Sequence, residues 1–284
     1  MKKSIIFLLF ILIADLSKAQ KPAPARLIVR GDDMGFSHSG NLALMKSHQQ
    51  GIQTSIEVIV PSPWFPEAVQ LLKEIPDADV GIHLALTSEW DLVKWRPLTD
   101  APSLRDSNGY FYPMVFPNKN YPGQSIKENN STLQDIEKEF RAQIELALRH
   151  IPQISHVSAH MGCANISEEV KAMTRRLTKE YKIDIDPVDY NVLPFRLEGP
   201  HKTSAEKWES FKAAVRKMEP GKTYLFVEHP GLDNTELQAI HHIGYEDVAT
   251  DRQGVTELFT NPEAKDFLQK QGVQLISYKD LPVR

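Results

Sequence analysis

Short apolar runs alternate along this 284-residue chain with longer segments in which apolar positions recur every three or four residues. The first pattern predicts buried strands and the second predicts amphipathic helices. Strands are predicted at 25–31, 54–60, 79–86, 154–160, 183–188, 224–227 and 273–278, and helices at 37–48, 65–75, 131–150, 167–181 and 204–218. The helix at 131–150 has the clearest pattern, because Ile136, Phe140, Ile144 and Leu148 share one face.

Strands that alternate with helices in this way predict an α/β fold with a parallel sheet. Roughly six or seven strand-helix units fit in the chain, which is fewer than the eight of a complete (β/α) barrel. We therefore expect a single-domain (β/α) barrel-like fold, an irregular or incomplete TIM-type barrel, over residues 20–284.

The first 19 residues are predicted to be a cleaved signal peptide. Lys2 and Lys3 precede an apolar core from Ile5 to Ala14, and Ser17-Lys18-Ala19 has the small-x-small pattern of a cleavage site. Since the core is short for a bilayer span, we expect no stable membrane insertion after cleavage, and an uncleaved anchor is the alternative. The expected location is outside the cytoplasm, periplasmic or secreted.

One irregular segment, 89–130, interrupts the alternation of strands and helices. It is rich in proline and polar residues and carries seven aromatic residues: Trp90, Trp95, Tyr110, Phe111, Tyr112, Phe116 and Tyr121. Long loops in compact domains are usually functional or disordered, and this aromatic content argues against disorder. An aromatic lid over a sugar site, with Trp90 and Trp95 as substrate contacts, is one interpretation. A self-packed surface loop is the other.

Charge and cysteine content exclude some classes of function. With 33 basic and 37 acidic side chains the net charge is −4, and a mildly acidic protein is a poor partner for nucleic acid. Cys163 is the only cysteine, so no internal disulfide forms. We expect Cys163 to be a small buried residue rather than a nucleophile.

Candidate catalytic residues lie where predicted strands end. Asp32 and Asp33 follow the first strand, and His83, His160 and His229 lie at the ends of later ones. Neighbouring side chains on a strand point to opposite faces, so one aspartate can bind a metal while the other moves a proton. Each residue alone also fits a plain turn or a buried polar position. Together, Asp33, His83 and His160 make an Asp-His-His set that suits Zn²⁺ by ligand preference.

Several short motifs resemble, in order and approximate spacing, those of the YdjC-like (ChbG/HpnK) carbohydrate deacetylases. They are Arg30-Gly-Asp-Asp-Met-Gly35, Gly81-Ile-His-Leu84, Ile154-Ser-His-Val-Ser-Ala-His160, Glu228-His-Pro-Gly231, and the tail from Arg252 through Glu257-Leu258 to Leu275. The resemblance covers nearly the whole chain after the N-terminal segment. It implies a barrel-like fold and hydrolysis of N-acetyl groups from amino-sugar oligosaccharides or glycan fragments.

The resemblance also implies roles for individual residues. Asp33, His83 and His160 correspond to ligands of a divalent metal, which is Mg²⁺ by resemblance, with Zn²⁺ as the alternative. Asp32 corresponds to the general base and His229 to a general acid. Arg252, in the matching tail, is a candidate substrate contact.

The chain departs from the family pattern around the last ligand. Ser158 stands where the family usually has an aspartate, and Met161-Gly162 stands in place of the family residues, histidine among them, that follow the last ligand. These changes bear on substrate identity more than on metal binding. The expected partner is an acetylated amino sugar. The sequence also allows a homodimer. A metallohydrolase of another amide or ester, or a catalytically inactive carbohydrate-binding protein, are the alternative functions.

Overall fold

The computed structural model of this protein describes residues 23–282; the predicted signal peptide lies outside the described residues. The strands are β1 (Ala25–Met34), β2 (Ser55–Val58), β3 (Asp79–Leu84), β4 (Ile154–Ala159), β5 (Leu193–Phe195), β6 (Thr223–Glu228) and β7 (Val273–Ile276). The helices are α1 (His38–Gln50), α2 (Phe65–Leu72), α3 (Leu133–His150), α4 (Glu168–Glu180), α5 (Ser204–Val215), α6 (Thr235–Gln238), α7 (Val248–Phe259) and α8 (Ala264–Lys270).

All seven strands belong to one parallel sheet, in the order β4-β3-β2-β1-β6-β5, and β7 pairs with the first residues of β1. Within residues 23–282 no strand pairing joins β4 to β5, so the sheet does not close. The predicted incomplete (β/α) barrel is therefore confirmed. Parallel strands bring their carboxyl ends to the same end of such a barrel, and that end carries the candidate site.

The helices begin where the sequence provides side-chain caps. Ser37, Thr132 and Ser167 each accept a hydrogen bond from a backbone N–H in the first turn of α1, α3 and α4, and Thr203 forms a capping box with Glu206 at α5. Such caps satisfy N–H groups that have no partner within the helix. No described helix is long and apolar enough to cross a membrane.

The strand predicted at 183–188 is wrong, because β5 lies later, at Leu193–Phe195. Residues Pro187–Tyr190 instead form a short 3₁₀ turn. Asp186 caps this turn by accepting a hydrogen bond from the Val188 N–H, and Pro187 supplies a fixed φ at its start. Local capping thus outweighs the alternation of apolar residues in this segment.

The aromatic insertion at 89–130 is a packed segment anchored on α3. The carboxylate of Glu139 is buried and accepts hydrogen bonds from the backbone N–H groups of Leu98 and Thr99, both at 3.0 Å. Trp95 is 3% exposed and packs in the main hydrophobic core. Much of the insertion therefore packs as a structural loop, and only part of it reaches the candidate site.

Cys163 lies directly after the strand end that carries His160. It is fully buried, and its thiol donates a hydrogen bond to the Leu84 carbonyl at 3.1 Å. Burial raises the pKa of this thiol to about 12. Cys163 is thus the small buried residue that the sequence predicts.

Candidate active site

The two aspartates lie within β1 at a break in its regular pairing. The register between β1 and β2 shifts between Gly31 and Met34, and Asp33 has a φ of +73°. Both carboxylates reach the same imidazole, since His83 Nε2 is 3.7 Å from Asp32 Oδ2 and 3.5 Å from Asp33 Oδ1. The prediction that their side chains point to opposite faces is therefore wrong, because the bulge at Asp33 breaks the alternation.

Asp33, His83 and His160 form a buried cluster whose possible ligand atoms all lie within 4.8 Å of one another. Asp33 Oδ1 is 3.2 Å from His160 Nδ1. The same oxygen is buried without a hydrogen bond of acceptable geometry. A buried carboxylate oxygen without a well-formed hydrogen bond is unfavourable, and a cation held between the three side chains would satisfy it. One carboxylate and two imidazoles fit a divalent metal ion.

The second nitrogen of each candidate histidine ligand is also hydrogen bonded. His83 Nδ1 lies 2.6 Å from Ser158 Oγ, and His160 Nε2 lies 3.0 Å from Glu89 Oε2. Such partners orient an imidazole and select which nitrogen faces the metal. Glu89 was missed by the sequence analysis. It lies five residues beyond the end of β3, where periodicity gives no signal, although it opens the aromatic insertion.

Asp32 is held by an arginine two residues earlier on the same strand. Arg30 Nε donates to Asp32 Oδ1 at 2.7 Å and Nη2 donates to Oδ2 at 2.8 Å. Burial is the largest influence on Asp32 and raises its pKa to about 7, although Arg30 opposes the rise. A carboxylate whose pKa lies near neutrality can both take and release a proton, so Asp32 has the property of a general base.

Arg252, on α7, lies beside Asp33, the carboxylate of the candidate metal site. Its Nη2 donates to Asp33 Oδ2 at 2.8 Å, while Nε and Nη1 are buried without a hydrogen-bond partner. The guanidinium carbon also lies 4.6 Å from the ring centre of Phe36 and 5.2 Å from that of Trp90. Burial opposes ionisation of Asp33, but His229, His160 and Arg252 together hold its pKa well below its usual range.

The candidate metal ligands, together with Asp32, Glu89 and Arg252, line a cavity of about 400 Å³ at the carboxyl ends of the strands. Its apolar wall combines Trp90, from the insertion, with Met161, His242 and Tyr245. The Trp90 ring centre is 5.5 Å from that of His242. Of the two tryptophans predicted to contact substrate, the structure brings Trp90 to the cavity but places Trp95 in the core.

His229 lines the same cavity and lies directly after β6. Its Nε2 is 3.9 Å from Asp33 Oδ2. The side chain is 41% exposed, so water reaches one edge of the ring, while desolvation of the rest is the main reason that its pKa is lowered to about 4. His229, one of the strand-end candidates, therefore lines the same cavity as Asp32 and Asp33 and is a weakly basic group there.

We expect metal binding to release a proton from His160. Burial opposes a charge on this imidazole, but Glu89 and Asp33 raise its pKa to about 10. At pH 7 the His160 imidazole is therefore protonated on both nitrogens, and an incoming cation must displace one of these two protons. Affinity should rise with pH up to about 10, and calorimetry at pH 7 in buffers of different ionisation enthalpy should show about one proton released per ion. Release of no proton would contradict this assignment.

A family model described as YdjC-like protein matches residues 26–270. A carbohydrate deacetylase from Brevibacillus brevis is 30% identical over 90% of this chain and 99% of its own length. Carbohydrate deacetylase 2 from Listeria innocua is 26% identical over 90% of this chain and 99% of its own length.

A solved structure shows the same fold. A crystal structure of an Enterococcus faecalis protein named for cellobiose-phosphate cleavage superposes with a TM-score of 0.72. It shares 21% sequence identity and covers 92% of this chain and 100% of its own. Together with the match of the family model over residues 26–270, these findings show that the chain belongs to the YdjC-like family.

Proposed function

We propose that this protein is a metal-dependent hydrolase that removes N-acetyl groups from amino-sugar oligosaccharides or glycan fragments. The observation that carries the proposal is the Asp33, His83 and His160 cluster with a separate buried carboxylate, Asp32, beside it. The names of the related carbohydrate deacetylases support the same substrate class. A protein that only bound sugars would need no buried base next to a metal site.

When bound, a divalent cation supplies Lewis acidity to the amide carbonyl and lowers the pKa of a water molecule. Asp32 takes the proton from the attacking water, because each of its oxygens keeps a lone pair beyond the bond to Arg30. His229 returns a proton to the leaving amine. Since its pKa is low, His229 is uncharged at neutral pH, takes this proton from solvent at the exposed edge of its ring and transfers it readily. Asp32 then releases the proton of the attacking water to solvent in the cavity, which restores the base.

The direct test measures acetate released from acetylated chito-oligosaccharides. The chelator-treated protein should be inactive, and activity should return with either Zn²⁺ or Mg²⁺, which identifies the metal. The Asp-His-His ligand set favours Zn²⁺, whereas the family resemblance favours Mg²⁺. Release of acetate from simple esters but from no acetamide would favour the alternative of an esterase. Binding of the sugar without any acetate release would favour an inactive carbohydrate-binding protein.

The role of His229 can be tested through the leaving group. We expect His229→Ala to lower turnover of an acetamide by about 10²-fold or more, the usual effect of losing a general acid. An activated ester, whose leaving group needs no proton, should lose much less. Equal losses on both substrates would make His229 a residue that positions the substrate.

The two buried tryptophans offer a matched pair of variants for the sugar-binding wall. Trp90 and Trp95 are 2% and 3% exposed and belong to the same core, but of the two only Trp90 lines the cavity. We expect Trp90→Leu to weaken oligosaccharide binding by about 1 kcal/mol, the scale of an aromatic contact. Trp95→Leu should leave binding unchanged. Calorimetry on both variants in an inactive Asp32→Asn background measures this difference, and equal affinities would exclude Trp90 from the sugar site.

A further inference from the structure

A second buried carboxylate, Glu57 on β2, lies behind His83 and takes no part in the proposed chemistry. Glu57 is 0% exposed, and its Oε2 accepts a hydrogen bond from Ser158 Oγ. Ser158 Oγ also lies 2.6 Å from His83 Nδ1. Side chains from three neighbouring strands thus form one chain of hydrogen bonds that ends at a candidate metal ligand.

The direction of these hydrogen bonds follows from what each group can donate. An ionised carboxylate only accepts, and a hydroxyl carries a single proton. Ser158 therefore donates its proton to Glu57 and must accept one from His83 Nδ1. This leaves the lone pair of His83 on Nε2, the nitrogen that lies 3.5 Å from Asp33 Oδ1. A metal ion binds the neutral nitrogen that carries no proton.

Other contacts keep Glu57 ionised and in place. His156 Nε2 lies 2.6 Å from Glu57 Oε1, and the ring of Tyr278 stacks on His156 with the ring centres 3.6 Å apart. Burial by itself raises the pKa of Glu57, but His156 and Arg30 lower it to about 2. Glu57 is thus a fixed acceptor at neutral pH.

The neighbouring strand β3 makes room for this carboxylate at Gly81. A Cβ atom at Gly81 would overlap the carboxylate of Glu57. Any larger residue there would push Glu57 away from Ser158 without removing a polar group. Gly81 lies two residues before His83 on the same strand, and residues two apart on a strand share a face. The Glu57 carboxylate, which fills the space beside Gly81, therefore lies on the same face of β3 as the His83 side chain.

We propose that Glu57 is a positioning residue that acts through Ser158 to hold His83 with its Nε2 free to bind the metal. The Ser158 hydroxyl connects His83 to a carboxylate on the next strand but one. The inference rests on the metal binding that the proposed function requires. It adds Glu57 and Gly81 to the residues on which that binding depends.

The test measures Zn²⁺ affinity by calorimetry on the chelator-treated protein. We expect Glu57→Gln and Ser158→Ala each to weaken Zn²⁺ binding by about 10- to 100-fold, the usual effect of losing a partner of a metal ligand. Glutamine has one acceptor oxygen where Glu57 has two, so Glu57→Gln cannot accept hydrogen bonds from both Ser158 and His156. Since Ser158→Ala interrupts the same chain of hydrogen bonds, the double variant should be little weaker than either single one. Glu139→Gln removes a buried carboxylate on α3, away from the cavity, and should leave Zn²⁺ affinity unchanged.

Two further variants separate positioning from a loss of stability. Gly81→Ala removes no polar group from the chain of hydrogen bonds between Glu57, Ser158 and His83, but it displaces Glu57 and should still weaken Zn²⁺ binding. In the Glu57→Gln background, Ser158→Asp supplies a carboxylate to His83 directly and should restore affinity, whereas Ser158→Asn should not. The ¹⁵N signals of the His83 ring should show the proton on Nδ1 in the metal-free protein and a mixture of tautomers in Ser158→Ala.

The outcomes distinguish this inference from the proposed function. Unchanged Zn²⁺ affinity in Glu57→Gln and Ser158→Ala would overturn the positioning role, even if the wild type released acetate. An equal loss in Glu139→Gln would overturn it too, because general loosening of the fold would then explain the effect. If affinity depends on Glu57 as expected but no acetamide is hydrolysed, the positioning role stands and the proposed reaction fails.

Discussion

Replacing Asp32 with asparagine should lower the turnover number for acetate release by about 10²- to 10⁴-fold, the range expected for loss of a general base. The amide has nearly the same shape as the carboxylate but cannot accept the proton of the attacking water. Asp32 lies 3.7 Å from the nearest ring nitrogen of His83 and is not needed to complete the ligand cluster. Zn²⁺ affinity should therefore stay within a few-fold of the wild type.

Asp32→Asn also leaves the partly buried guanidinium of Arg30 without its charged partner, so a loss of stability accompanies the loss of activity. Thermal unfolding and a Zn²⁺ titration on the same sample separate the two effects. A folded, metal-loaded variant with turnover near that of the wild type would show that Asp32 is not the base.

The second large effect is expected at the ligand cluster itself. Asp33→Asn and His83→Ala should each abolish stoichiometric metal binding and reduce acetate release to the level of the chelated protein. Asparagine is a suitable replacement at position 33 because it tolerates a positive φ better than most residues. The backbone bulge is thus kept while the ionised ligand is lost.

Elemental analysis after dialysis provides the measurement for these two variants. His48→Ala serves as a control, since this histidine is half-buried on α1 and lies outside the ligand cluster. It should keep its full metal content. Undiminished metal in both Asp33→Asn and His83→Ala would exclude this ligand set.

The convergence of Asp33, His83 and His160 could be predicted from the sequence, because each follows an apolar strand and parallel strands end together. The local conformation of β1 could not. A period of two assigns Asp32 and Asp33 to opposite faces, and only the positive φ of Asp33 turns both toward His83. A bulge of one residue leaves no trace in the pattern of apolar positions.

Contacts that cross between distant elements were also beyond the sequence. Helix α7 carries Arg252 to Asp33, yet it was not predicted, because it is buried on several faces and contains Gly254. A helix buried all round has no clear amphipathic stripe. Trp95 illustrates the opposite error, since aromatic content predicted a sugar contact at a residue that packs in the core.

Alkylation of the buried Cys163 thiol can measure how often the structure around it opens. Its sulfur lies against the Leu84 carbonyl, between the strand ends that bring His83 and His160 to the site. A thiol that is buried and has a raised pKa reacts with alkylating reagents only when the surrounding structure opens. The rate of alkylation therefore measures how often these two strand ends separate. A metal ion bound by both His83 and His160 should slow the alkylation.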